Sequence, residues 1–376
     1  MSDLPTGASV VVVGAGVTGL SAAWWLARGG VDVVVVDKGI VGWEASGRNG
    51  GGASHYQSPL FVEEQRLWPQ MDDLLGYPTE YQRERIIVQR DPDLLNHYRA
   101  VGRMCRAMGY RVDDLDSQQA QEMVPLTDAT CLGGIHLGFG GHANPQRTVQ
   151  AYAWAQQDLG GRIVQHCAAT GFVTMGGRVT GVVTARGSIT CDAVVVAAGP
   201  QAEALLAPLG IAFPLAAARA EMIVTEPAPP MPIGGVDGNG LYGRQTLRGN
   251  LAFGGGPHEW IGSTRNSPAR PTSPLIRSLA RRVAEMFPRA AHLHVIRSWA
   301  GVVENTPDGR PILDRVGNVT VATMSGVGFG LSPASGHAIR DLVVDGACSF
   351  ADIAKLGLAR FADLDPDWRE QRGWAA

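Results

Sequence analysis

Two apolar runs near the start of the chain lack the polar alternation of a half-exposed strand. Val10–Val13 is continuously β-branched, and Val31–Val36 is broken only by Asp32. Each predicts a strand covered on both faces, as in a parallel sheet. Between them, "VTGLSAAWWLARGG" (17–30) reads as a short helix ending at Arg28-Gly29-Gly30. The strand, turn and helix order returns in "CDAVVVAAGPQAEALL" (191–206), preceded by a predicted hairpin, "FVTMGGRVTGVVTARGSIT". It returns again in "VATMSGVGFGLSPASGHAIRDLV" (321–343). The stretch 66–109 differs, alternating helical periodicity with turn signals, and predicts helices lying on an antiparallel sheet. "EPAPPMPIGG" (226–235) reads as a connector, and "PTSPLIRSLARRVAEMFP" (271–288) as a capped amphipathic helix between prolines.

The chain's 376 residues suffice for two substantial cores. Its net charge of −3, with no basic stripe, gives no footprint for nucleic acid. The 49 glycines fit many tight turns and close backbone approaches. Five scattered cysteines (Cys105, Cys131, Cys167, Cys191, Cys348) lack metal-ligand spacing and read as reduced thiols. "MSDLPTG" has neither a basic head nor an apolar core, and no run reaches the ~18 apolar residues of a membrane span. A soluble cytoplasmic protein without a membrane span is expected.

The turn between the first strand and helix carries Gly14, Gly16 and Gly19. The first permits the tight turn, the second a close approach to a pyrophosphate, and the third close helix–strand packing. The helix start at Val17 and Thr18 aims free N–H groups and a positive dipole end at phosphate. Asp37, followed by Lys38, closes the second strand where a carboxylate can accept both hydroxyls of an adenosine ribose. This argues against a 2′-phosphate, hence against NADP. The glycine-rich "GWEASGRNGGGAS" (42–54) stands where a simple nicotinamide enzyme would enter its second helix. Three separated segments thus converge on one long ligand.

Together "VVVGAGVTGLSAAWWLARGG", "ASGRNGGG", "ANPQRTVQAYAWAQQDLGG", "VVVAAGPQA", "LYGRQTLRGNLAFGGG", "RSWAGVVENTPDGRPIL" and "GVGFGLSPASG" resemble the D-amino-acid oxidase family of flavoproteins. The chain is most similar to the branch of glycine oxidase, sarcosine oxidase and the flavin β subunits of opine and hydroxyproline dehydrogenases. The resemblance implies an α/β (overall α+β) chain: a Rossmann-like FAD-binding domain with an antiparallel-sheet substrate domain, in the glutathione-reductase type of flavoprotein fold. The flavin domain would comprise 1–58, 144–214 and 305–376, and the substrate domain 59–143 and 215–304. FAD would contact the first turn, Ser46, Gly47, Arg48, Asn49, Gly50 and Gly51, then Ala169, Ala198 and Gly199. The late segment would add Gly326, Gly328, Phe329, Gly330 and Leu331. Its helix N-terminus would face the flavin pyrimidine ring, where negative charge develops on reduction.

The implied chemistry is oxidation of a C–N bond in an amino acid or secondary amine, with hydride passing to flavin and electrons leaving to O2 or to a partner subunit. By the resemblance, Tyr242 would line the substrate pocket, the alternative being a strand tyrosine packed in the core. Arg244, two residues on, would share its strand face and either fork a substrate carboxylate or pair with a local acid. His55 follows the flavin loop, as a base, a hydrogen-bond donor or a structural histidine. Glu304, beside Asn305, either holds a cationic amine or is a solvated loop acid. The family's carboxylate anchors are missing: Val303 replaces an arginine of glycine oxidase, Gly330 a lysine of sarcosine oxidase, and Ser54 and His55 an early arginine. Arg244 or Arg297 then substitutes, or the substrate has no carboxylate in the usual place. No cysteine precedes "TPD", so FAD is expected to be noncovalent, and Ala252 stands where sarcosine oxidase has its oxygen-activating lysine.

Overall fold

The computed structural model describes residues 4–256, 258–261 and 270–373. The strand Gly7–Val13 is central to an eight-stranded sheet, parallel to Val33–Val36 on one side and Gly187–Val196 on the other. Arg162–Val164 and Val319–Thr323 extend it in parallel, and Ile312–Val316 closes one edge antiparallel. The valine runs are buried on both faces. Val10, Val12, Val33 and Val35 pack beneath the helices Val17–Arg28 and Gly328–Val344, while Val11, Val13, Val34 and Val36 enter a second core with Ile189 and Phe213. All eight are at most 5% exposed.

The second strand starts at Val33 rather than Val31, because Asp32 turns outward to pair with Arg162 at 2.6 Å. The predicted hairpin becomes an antiparallel meander, Ala169–Met175, Arg178–Thr184 and Gly187–Val196, whose last strand runs on into the parallel sheet.

The remaining strands form two five-stranded, mostly antiparallel sheets. One contains Ala216–Pro227 between Asn250–Gly255 and Val295–Asn305, with Leu241–Gln245 and Glu259–Ile261. The other contains Gln82–Gln89, Gly133–His142, Val112–Leu115, Val236–Asp237 and Gly52–Ala53. Gly52–Ala53 comes directly from the early glycine loop and pairs with Gly141 and His142. That pairing ties the loop to this sheet.

The helix Ser273–Met286 packs Leu279, Val283 and Met286 on the core holding Phe253 and Leu241. Thr272 does not cap this helix with its side chain. Its amide and hydroxyl instead donate to the buried Glu221 carboxylate. No described helix is long and apolar enough to cross a membrane.

Candidate active site

A cavity of about 840 Å³ opens at the carboxyl ends of the parallel strands, flanked by Val13, Asp37, Ala197 and Thr323. Ligands of open α/β sheets bind at this end. Gly14 turns there with φ +113°, and a Cβ on it would lie 2.3 Å from the Ala197 carbonyl oxygen. A Cβ at Gly19 would lie 2.0 Å from the Gly14 carbonyl oxygen, so helix and turn touch backbone to backbone. Asp37 is set by two backbone amides: Ala15 donates to Oδ2 and Gly39 to Oδ1, each at 2.7 Å. The Val17 amide donates to Ser46 Oγ at 2.9 Å, which joins the early glycine loop to the helix start.

Gly16, Thr18, Lys38, Ala169, Ala198, Gly199, Gly326, Gly328 and Phe329 also border this cavity. Lys38 pairs with Glu44 at 3.4 Å on its rim. Asn49 braces the loop internally, donating to the Ala45 and Ser46 carbonyls and accepting from the Gly51 amide. Gly19, Gly47 and Leu331 lie behind the cavity wall. Gly47 accepts a hydrogen bond from Gln146, and Leu331 is fully buried in the core.

A second cavity of about 330 Å³ adjoins the first, and Ala45, Asn49, Val303, Gly326 and Phe329 border both. Its wall includes Arg48, Gly50, Gly51, His55, Tyr242 and Gly330. The Tyr242 ring packs on the glycine loop, and burial pushes its hydroxyl up to about 12 against the opposing charge of Arg282. Arg48 is held by the Trp43 and Ala300 carbonyls and lies over the Trp43 ring. His55 pairs through Nδ1 with Glu64 at 3.0 Å.

Arg244 lies elsewhere. Its Nη1 donates to the Gly50 carbonyl at 2.7 Å from behind the loop, outside the cavity wall. Burial brings its guanidinium down to about 10. The structure therefore does not bring Tyr242 and Arg244 to one pocket, although residues two apart share a strand face.

Sequence reasoning missed three residues of the second cavity. Arg85, only 3% exposed along its side chain, forks Asp237 at 2.5 and 3.2 Å and also reaches the carbonyls of Gly141 and Gly243. His258 is held below its ordinary pKa by burial, and its Nε2 is buried with no hydrogen-bond partner among the described residues. An arginine within the apolar strand "RERIIVQ" was the one available signal, since polar residues are buried only at a cost.

At the seam between the cavities, Asn305 Nδ2 is likewise buried and unpartnered among the described residues. Beside it, Glu304 accepts from the Thr323 hydroxyl at 2.8 Å, and burial pushes its carboxyl above the ordinary range. The donor set therefore fits FAD. The helix start and glycine turn could hold a pyrophosphate, Asp37 could accept from a ribose, and the orphan Asn305 amide in the adjoining cavity could donate to a further polar group of the cofactor.

These features define a dinucleotide-cofactor enzyme with a second, smaller cavity adjoining the cofactor cleft. The model of the family described as FAD dependent oxidoreductase (DAO) matches residues 9–342, and the chain belongs to that family. It is an FAD-dependent oxidoreductase. It is 28% identical over 372 residues to sarcosine oxidase subunit beta of Rhodobacter capsulatus, covering 94% of this chain and 88% of the relative. It is 29% identical over 323 residues to glycine oxidase of Pseudomonas aeruginosa, covering 82% and 85% respectively. The fold matches the crystal structure of glycine oxidase from Geobacillus kaustophilus with a TM-score of 0.87, at 22% identity over 94% of this chain and 99% of that one.

Proposed function

We propose that the protein oxidises the C–N bond of a small amino acid or secondary amine to an imine, with noncovalent FAD in the larger cavity and the amine in the smaller one. The observation carrying this reading is the shared wall at Val303, Gly326 and Phe329, which lets a substrate lie against the cofactor's ring end. When bound, FAD accepts the hydride from the carbon bearing nitrogen. The chain's own residues bind and orient. Tyr242 limits the pocket, and the Arg85–Asp237 pair supplies its fixed polarity.

Positions 303, 330 and 55, where the family's carboxylate-binding residues are replaced, all border the smaller cavity. The substrate is therefore held differently from those of glycine oxidase and sarcosine oxidase. Screening amino acids, N-methyl amino acids and opines for anaerobic bleaching of the bound flavin tests the reading. At least one class should bleach it, and bleaching by none would overturn the proposal.

A second reading concerns the electron acceptor. Ala252 is buried, borders neither cavity, and leaves no cation at that position to stabilise superoxide. The Rhodobacter capsulatus relative is by name a subunit. We infer that reduced flavin passes electrons to a partner subunit more readily than to O2. Turnover with an artificial acceptor well above turnover with oxygen is the expected result.

A further inference from the structure

We propose that Glu64 is a positioning residue that makes His55 the proton acceptor for the substrate's ammonium group, a role that rests on the amine-oxidising reading above. Glu64 sits in the helix Phe61–Leu67 with its side chain 0% exposed. Both of its carboxylate oxygens are taken by one residue. Oε2 accepts from the His55 backbone amide at 3.2 Å, and Oε1 faces ring Nδ1 at 3.0 Å. A carboxylate removed from water needs a compensating charge or donor. His55 supplies it by carrying its ring proton on Nδ1. The Nε2 lone pair is then the ring's remaining proton-accepting position.

The ring has little freedom. A Cβ at position 330 would lie 2.1 Å from His55 Cε1 and 2.6 Å from the Gly52 carbonyl oxygen, so a glycine admits the ring against the late helix. Trp68 Nε1 fixes that helix by donating to the Gly330 carbonyl at 2.7 Å. The imidazole, 23% exposed along its side chain, borders the smaller cavity.

The other charged or titratable groups facing this cavity are committed elsewhere. Arg85 and Asp237 hold each other, Arg48 is bound to carbonyls, and Tyr242 keeps its proton. His258 lines the same cavity, where burial disfavours its protonated form. Tyr56, next in the chain, is pushed up by burial. In the step, an N–H bond of the substrate ammonium breaks, the proton goes to Nε2, and nitrogen keeps the electron pair it needs before hydride can leave the adjacent carbon. No redox partner is involved.

The test compares anaerobic flavin reduction across pH in the wild-type holoprotein, His55→Asn, Glu64→Gln and Glu64→Asp, after checking that FAD content is equal. With His55→Asn the rate at neutral pH should fall by about 10²–10⁴ and climb toward the substrate amine's own pKa. Glu64→Gln should lose less than His55→Asn, because the imidazole remains but no carboxylate holds it in the Nδ1–H form. Glu64→Asp should recover part of the loss. Variants that follow the wild-type profile would overturn the proposal.

Should no amine reduce the wild type, the amine-oxidising reading itself fails. Spectra of ¹⁵N-histidine-labelled holoprotein still judge the pair in that event. An Nδ1–H tautomer or imidazolium at His55 that changes in Glu64→Gln supports it. An Nε2–H tautomer indifferent to Glu64→Gln overturns it.

Discussion

The two cavities are built differently although they share a wall. The larger is shaped mainly by backbone: Gly14, Gly16, Gly199, Gly326 and Gly328 bring main chain up to it, and amides of Ala15 and Gly39 set its one key carboxylate. The smaller has a glycine floor toward the cofactor but a roof of polar side chains, Arg85, Asp237, His55, Tyr242 and His258. A backbone cradle fits a ligand part common to many enzymes, and side chains from separate strands can be exchanged without disturbing it. That division lets the side-chain cavity vary while the cofactor turn stays fixed.

The largest effect expected is on the side-chain cavity. Asp237→Ala leaves the buried Arg85 guanidinium without its counter-charge, a loss of about 3–5 kcal/mol in unfolding free energy by denaturant titration. A loss below ~1 kcal/mol, the scale of an exposed pair, would show that Arg85 is solvated and the cavity open. On the backbone side, Asp37→Ala should weaken FAD binding at least tenfold, since each charge-assisted hydrogen bond to the ribose contributes ~1.5–3 kcal/mol. Titrating apoprotein with FAD measures this, and an unchanged affinity would remove the ribose from Asp37.

Arg244 tests the boundary between the two regions. Because it secures the Gly50 carbonyl, Arg244→Met should cost about 1–3 kcal/mol through an unsatisfied backbone acceptor. It should slow a carboxylated substrate and an uncharged amine by the same factor. A loss confined to the carboxylated substrate would restore Arg244 as the carboxylate fork.

The smallest effect concerns Glu304, whose folded-state pKa is raised by burial. Between the unfolded value of 4.5 and that raised value the native state binds the extra proton, so stability falls as pH rises through this window and levels off above it. The apoprotein of Glu304→Gln should lack that decline in unfolding free energy. A decline identical to wild type would place the titration on another group.

The cofactor cradle was legible because its geometry dictates residue type at short spacing. Gly14 is required by its positive φ, Gly19 by a backbone contact, and Asp37 by its place at a strand end. The valine runs likewise announced a sheet covered on both faces. The smaller cavity was only partly legible. Arg85 and Asp237 are 152 residues apart and meet because Val236–Asp237 pairs with Ile86 and Ile87, a pairing no local pattern encodes. Arg244 misled for the opposite reason. The two-residue alternation placing it with Tyr242 holds for an isolated strand, but the glycine loop lies against this strand and captures the guanidinium.

In the proposed reaction, an amine in the smaller cavity delivers hydride to FAD in the larger one. Anaerobic stopped-flow reduction by an active amine, protiated or deuterated at the carbon bearing nitrogen, tests it most directly. Reduction should saturate with amine concentration and slow several-fold on deuteration. Reduction at the same rate with both isotopologues, unsaturable at high amine, would contradict it.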